Sequence, residues 1–317
     1  MGKPFNYGGQ AIIEGVMMRG ARTMCLAVRA ASGEIVTHCE PLNPRIYSGW
    51  IAKVPFVRGL TMLWDTLGLG MRALMFSADV ALGEEDVDFS GPVAWGTMGV
   101  ALVAAVGVFF VAPLLLISLI DRWIASPFVS NLLEGGIRLA IFLIYLWAVG
   151  LVPDVRRVFG YHGAEHKTIN AYERGDELTV EDVGRNSALH VRCGTAFLLV
   201  VAVISILVFA ILGRPSSMVV RIVSRLLLIP VIAGIAYEYI KFSARHQKYW
   251  IMRALITPGL WLQRLATRPP DASMLQVAIT ALQRLLVEEQ LVVAQEQPAG
   301  RLAAAAAPAT VAKAGQP

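Results

Sequence analysis

Residues 91–120 read GPVAWGTMGVALVAAVGVFFVAPLLLISLI, thirty positions without a charged side chain. Roughly 20 helical residues cross the ~30 Å hydrocarbon core of a bilayer, so this run is long enough to span one. Pro113 is expected to kink it. Working outward, residues 137–153 form a second, shorter apolar run, with Arg138 placed to snorkel at its end. Residues 194–213 add 20 uncharged positions. A fourth run, 219–237, contains Arg221 and Arg225. It spans if both arginines snorkel and is re-entrant if they do not; spanning is the preferred reading.

Composition agrees with a membrane protein. Of 317 residues 56% are hydrophobic and 16% charged, with mean hydropathy +0.59. A soluble domain carries about 25% charged residues. The charges gather in 1–92 and 154–193 and thin out between and after them. Net charge is +5 with no dense basic run, which argues against a nucleic-acid binder. Eight Lys and Arg lie before the first span, six in 154–193 and nine after 237, against five in the remaining connections and span edges. The positive-inside rule then gives four spans in the plasma membrane, with both termini and the central loop cytoplasmic. The N-terminus lacks the charged start and apolar core of a signal peptide, so insertion is assigned to the internal spans. Cys25, Cys39 and Cys193 make no CxxC pair and are expected as free cytoplasmic thiols.

The expected fold is mainly α: a polytopic helical membrane protein with about four transmembrane helices, a small N-terminal α+β cytoplasmic lobe and amphipathic helices. The lobe covers 1–55, where 24–30 and 34–40 flank Ala31-Ser32-Gly33 as a β-hairpin. Residues 56–90 read as an interfacial helical segment lying along the membrane. Spans one and two occupy 91–153, a cytoplasmic loop 154–193, and spans three and four 194–237. Cytoplasmic helices follow over 238–294, where Leu275, Ala278, Ile279, Leu282, Leu285 and Leu286 recur at helical spacing. The Ala/Pro-rich tail, 295–317, is expected to be disordered.

The chemistry-bearing stretch is Tyr161-His162-Gly163-Ala164-Glu165-His166-Lys167, which contains H-x-x-E-H. On a helix, His162, Glu165 and His166 fall within about 100° of arc. Two imidazoles one turn apart can share a divalent metal, with zinc the first choice. Glu165 is then a third ligand, a partner to a ligand, or a general base acting on water. The alternative is a polar helix face just beyond a span. His190 and Cys193 in NSALHVRCG (186–194) share a face if that segment is helical, and both are good zinc ligands. A small apolar cysteine at a span start is the other reading. Glu238 is a possible carboxylate ligand at the end of span four, or a partner of Lys241; His246 is weaker, lying in a basic segment. Topology puts His162, Cys193 and Glu238 at one membrane depth. The run Gly8–Gly20, GGQAIIEGVMMRG, is neither a P-loop nor G-x-G-x-x-G. Its glycines allow close backbone approach to a ligand, unless it is simply a strand with tight turns.

These stretches together resemble one family, the bacterial membrane proteins catalogued as domain of unknown function 1385. The resemblance rests on GGQAIIEGVMMRG (8–20), YHGAEHKTINAYE (161–173), HVRCGTAF (190–197) and PGLWLQRLATRPPDASMLQVAI (258–279), and extends over about residues 5–290. Such proteins are described as predicted metal-dependent enzymes. The resemblance therefore implies a metal at His162, Glu165 and His166, without an established reaction or substrate. The expected function is a metal-dependent hydrolase at the cytoplasmic face, acting on lipids, lipid-linked precursors or membrane-protein segments. The alternatives are a membrane scaffold or transport component with a structural metal or none, and haem held by two histidines.

Overall fold

The computed structural model describes residues 7–47, 54–83, 92–213 and 217–296. The end of the interfacial segment and nearly all of the Ala/Pro-rich tail lie outside them. Four helices among the described residues are long and apolar enough to cross a membrane: Gly99–Trp123, Pro127–Val149, Gly194–Leu212 and Met218–Arg245. The first is composite, built from α3 (Pro92–Val106), a π-turn at Gly107–Val111 and α4 (Ala112–Ile120). The others are α5 (Pro127–Val149), α8 (Gly194–Leu212) and α9 (Met218–Arg245). Their outward faces are apolar; Val103, Leu207 and Ile211 are all exposed. Such a surface suits lipid rather than water.

Two expectations about the spans are corrected. The second span starts not near Ile137 but at Pro127, where Ser126 caps the helix by accepting from the Val129 amide. Arg138 therefore sits in mid-helix, 6% exposed, instead of snorkelling at an end. Arg221 and Arg225 also stay inside the bundle. The reason is the partners these arginines find, one within α5 itself (Glu134 and Arg138, one turn apart) and the others on neighbouring helices. Glu134 Oε1 accepts from Arg138 at 2.7 Å, and its Oε2 accepts from Arg225 at 3.0 Å. Asn131 Oδ1 accepts from Arg225 at 2.9 Å, and Asp121 pairs with Arg221 at 3.2 Å. Pro113 has no N–H to give the Phe109 carbonyl four residues back, and Arg138 Nε donates to that carbonyl at 3.0 Å.

The N-terminal lobe is a four-stranded antiparallel meander: β1 (Gly8–Ile12), β2 (Gly15–Arg19), β3 (Thr23–Arg29) and β4 (Ile35–Pro41). The expected hairpin is its second half, and GGQAIIEGVMMRG forms its first. A short α1 (Pro44–Tyr47) follows. Helices cover both faces of the sheet. Met24, Leu26 and Val28 pack with Leu69 and Ala73 of α2 (Val57–Leu82). Cys25 and Ala27 face α6 (Pro153–Arg174) and α11 (Ala272–Glu296). A strand buried on both faces needs apolar residues throughout, which is why β3 shows little alternation. Leu275, Ile279, Leu282 and Leu285 of α11 join this core. Full burial of a Leu or Ile side chain contributes roughly 1.5–3 kcal/mol.

A third correction concerns the thiols. Cys25 and Cys39 lie opposite each other in the β3–β4 register and form a disulfide, with Cα atoms 4.1 Å apart. Strand pairing, invisible in a spacing of 14 residues, brings them together. Among the described residues the remaining helices are α7 (Val180–Arg185) and α10 (Trp250–Ala266), the latter packed on α8 and α5.

Candidate metal centre

Helix α6 opens with Pro153 in its first turn and stops at Gly175, which is left-handed. His162 and His166 sit one turn apart on it, ring centroids 4.4 Å apart. The Gly163 between them lies against the backbone carbonyl of Arg268, and any Cβ there would collide with it. This close crossing brings the end of α10 to α6, where His162 Nδ1 donates to the Ala266 carbonyl at 2.8 Å.

Residues 186–193 are not helical, contrary to the condition under which His190 and Cys193 would share a face. Side chains hold the segment instead. Lys167 Nζ donates to the carbonyls of Gly184 at 2.6 Å and Asn186 at 2.5 Å, and burial holds its pKa below the ordinary lysine value. Asn170 donates to the Ser187 carbonyl at 2.7 Å. The Gln263 amide closes on the His190 backbone, accepting from its N–H at 2.9 Å and donating to its carbonyl at 2.8 Å. The segment ends at Cys193, the N-cap of α8, whose Sγ lies 3.3 Å from His162 Nε2. On the way, the Ala188 carbonyl accepts from His166 Nδ1 at 2.6 Å.

One ligand atom each from His162, His166 and Cys193 falls within 4.8 Å of the other two. A carbonyl can only accept, so both Nδ1 atoms carry the proton when these bonds form. In the neutral rings each Nε2 then presents a lone pair, the orientation a metal-binding histidine requires. Bond lengths of about 2.0 Å to nitrogen and 2.3 Å to sulfur at a tetrahedral angle imply a separation of roughly 3.5 Å, close to the His162–Cys193 spacing. The donor set fits zinc.

The three residues open into a cavity of about 200 Å³. Glu165 lines it, 4% exposed, with Oε2 3.5 Å from His166 Nε2. The opposite wall is the N-terminal run: Gly8, Gly9 and Gln10 of β1 with Met17 and Arg19 of β2, joined by Thr66 and Leu69 of α2. The glycines of this run do permit a close backbone approach, but to the protein's own Glu165. A Cβ on Gly9 would lie 2.7 Å from Glu165 Cγ. Gly70 similarly admits the Gln10 side chain. The unusual composition of 8–20 was the signal for this wall; Thr66 and Arg192 carried none.

The remaining sequence-level ligands fall elsewhere. His190 borders the cavity, but its Nε2 faces Glu173 Oε2 at 3.5 Å and it stands outside the three-donor group. Burial pushes the Glu173 carboxyl up, yet hydrogen bonds from His190 and Arg192 outweigh it and hold the pKa below the ordinary value. Glu238 accepts from Arg58 of α2 at 2.5 and 2.8 Å, away from the histidines. His246 Nδ1 bonds the Phe242 carbonyl in its own helix at 2.8 Å. Glu14, at the tip of the β1–β2 turn with φ +50°, accepts two bonds from Arg157 at 2.5 and 2.6 Å. Arg157 holds the Glu14 carboxyl below its usual range. Tyr161 also donates to Glu14, and burial pushes its hydroxyl pKa up to about 12. Glu14 thus ties the sheet to α6.

The chain is 32% identical over 310 residues to a Bacillus subtilis (strain 168) protein named Uncharacterized protein YqhQ, covering 93% of this chain and 96% of that one. No solved structure matches it. A family model described as a protein of unknown function, DUF1385, matches residues 54–288. That match takes in all three donors and Glu165, while the relative also covers most of the chain beyond it. The chain belongs to the DUF1385 family.

Proposed function

We propose that this protein is a metal-dependent hydrolase working at the cytoplasmic face of the bacterial plasma membrane. The observation that carries the reading is the three-donor group of His162, His166 and Cys193, with both imidazoles oriented by backbone carbonyls. Three protein ligands beside an open cavity are the pattern of catalytic rather than structural zinc. Zinc bound there supplies a Lewis acid for a carbonyl or phosphoryl oxygen. Glu165 is placed to take a proton from water in the cavity and to return it to a leaving group. Arg19 and Arg192, which also line the cavity, suit a substrate with an acidic group, such as a lipid-linked precursor or a membrane-protein segment. His190 borders the cavity as a positioning residue tied to Glu173.

Metal analysis of purified protein tests the site directly. Wild type is expected to hold about one zinc per chain, and the His162→Ala/His166→Ala variant almost none. Equal metal in both sinks the reading. Glu165→Gln then separates catalytic from structural zinc: it keeps the metal and the thermal transition but loses turnover by about 100-fold or more on any ester or peptide hydrolysed by wild type. Unchanged turnover removes Glu165 from the chemistry.

A further inference from the structure

A second cavity lies on the other side of α6 from the metal centre. It is a cleft of about 450 Å³ between the start of α6 and the segment joining α10 to α11, lined by Arg156, Arg157 and Arg268 over Gly160 and Met274. At about 100° per residue, Arg156 and Arg157 point some 120–140° away from His162, so the two cavities do not share a face. We infer that this cleft binds the phosphate of an anionic membrane lipid.

The charges do not balance within the cleft. Glu14 is committed to Arg157, and Asp271 accepts from Ser273 and from the Met274 amide at 2.8 and 2.9 Å. Arg268 Nη1 donates to the carbonyls of Arg264 and Thr267, which carry no charge, at 3.0 and 3.2 Å. The Arg156 side chain is exposed and makes no hydrogen bond or ion pair among the described residues. Asp271 keeps its charge and acts on Arg157, which Glu14 already pairs. Arg156 and Arg268 are therefore the two cleft guanidiniums that make no ion pair among the described residues. The cleft is also anchored: the Arg268 amide donates to the Phe159 carbonyl at 2.9 Å, and Gly160 packs against the Met274 sulfur.

The surroundings choose the source of the phosphate. Trp147, Leu151 and Val152 are exposed just before α6 begins. Helix α10, which ends two residues before Arg268, exposes Trp250, Leu255 and Trp261. Apolar and tryptophan side chains ending at a basic cleft are what a lipid requires: acyl chains along the first, headgroup phosphate in the second. A soluble phosphate needs only the arginines.

The test is retention of phosphatidylglycerol against phosphatidylcholine, both supplied in equal amounts to full-length protein in neutral detergent and counted by native mass spectrometry. Wild type is expected to keep phosphatidylglycerol selectively. Arg156→Gln/Arg268→Gln should weaken that retention about 25-fold, roughly fivefold per arginine at a membrane surface. Zinc content should not change, which keeps this result separate from the metal reading. Where the double variant loses its thermal transition, Arg156→Gln alone serves, with a fivefold loss expected. Equal retention of the two lipids by wild type overturns the site, as does an Arg156→Gln protein that retains phosphatidylglycerol like wild type. Displacement of the lipid by millimolar inorganic phosphate overturns the lipid as the ligand.

Discussion

A methyl group on Gly9 would lie 2.7 Å from both Glu165 Cγ and the Met17 carbonyl oxygen, whereas one on Gly8 meets nothing within 4 Å. Gly9→Ala must therefore push β1 or Glu165 aside. Its expected cost is about 1–3 kcal/mol, the usual penalty for overfilling a packed site. Thermal unfolding should register that loss for Gly9→Ala and none for Gly8→Ala; identical curves would remove Gly9 from the cavity wall. At this scale the sequence was readable where residues are local neighbours. His162 and His166 announce themselves by one-turn spacing, and Cys193 by its chemistry beside a span. Glu238 accepts from Arg58, which stands 180 residues upstream. Nothing in a linear pattern displays such a pair.

The four helices long and apolar enough to cross a membrane were legible from hydropathy, because length and apolarity are what such a helix needs. The behaviour of the charges inside these helices was only partly so: Glu134 stands one turn before Arg138, but the partners of Arg221 and Arg225 depend on which helices become neighbours. Snorkelling is what an arginine does without a partner; Glu134 gives Arg138 and Arg225 one. Each now depends on the other two. Glu134→Gln leaves two buried guanidiniums without their carboxylate, at an expected cost of about 3–5 kcal/mol. Replacing the whole group, in Glu134→Leu/Arg138→Met/Arg225→Met, should recover most of it. Unfolding in detergent distinguishes the cases, and a Glu134→Gln protein as stable as wild type would contradict the account. The two-sided burial of the sheet was hidden for a related reason. β2 is buried almost throughout and so lacks the alternation that betrays a strand, and β1 opens on Gly8-Gly9-Gln10, which supply no apolar alternation either.

For the whole molecule, the charge count predicts an orientation of the bundle that labelling can test. Single cysteines introduced beside Glu173 and beside Asn131 should label from opposite sides, Glu173 from the cytoplasm. The reverse result would turn the molecule over. The Cys25–Cys39 disulfide sharpens this experiment, because disulfides are rare in the reducing cytoplasm and the sheet lies on the same side as α6. The layering of that sheet also has a consequence in time. Strands β1 to β4 leave the ribosome first, yet α11, which covers one of their faces, follows more than two hundred residues later. At ~5–20 residues per second the wait is roughly 10–50 s. Through it Val16, Met18 and Ala27 have no lid from α11. A nascent chain halted at the start of α11 would already hold every candidate metal donor and every cleft arginine while one face of its sheet lacked part of its cover. Every residue lining the first cavity is made by Gly194, yet the sheet that walls it gains its full cover only with α11, among the last acts of this protein's biosynthesis.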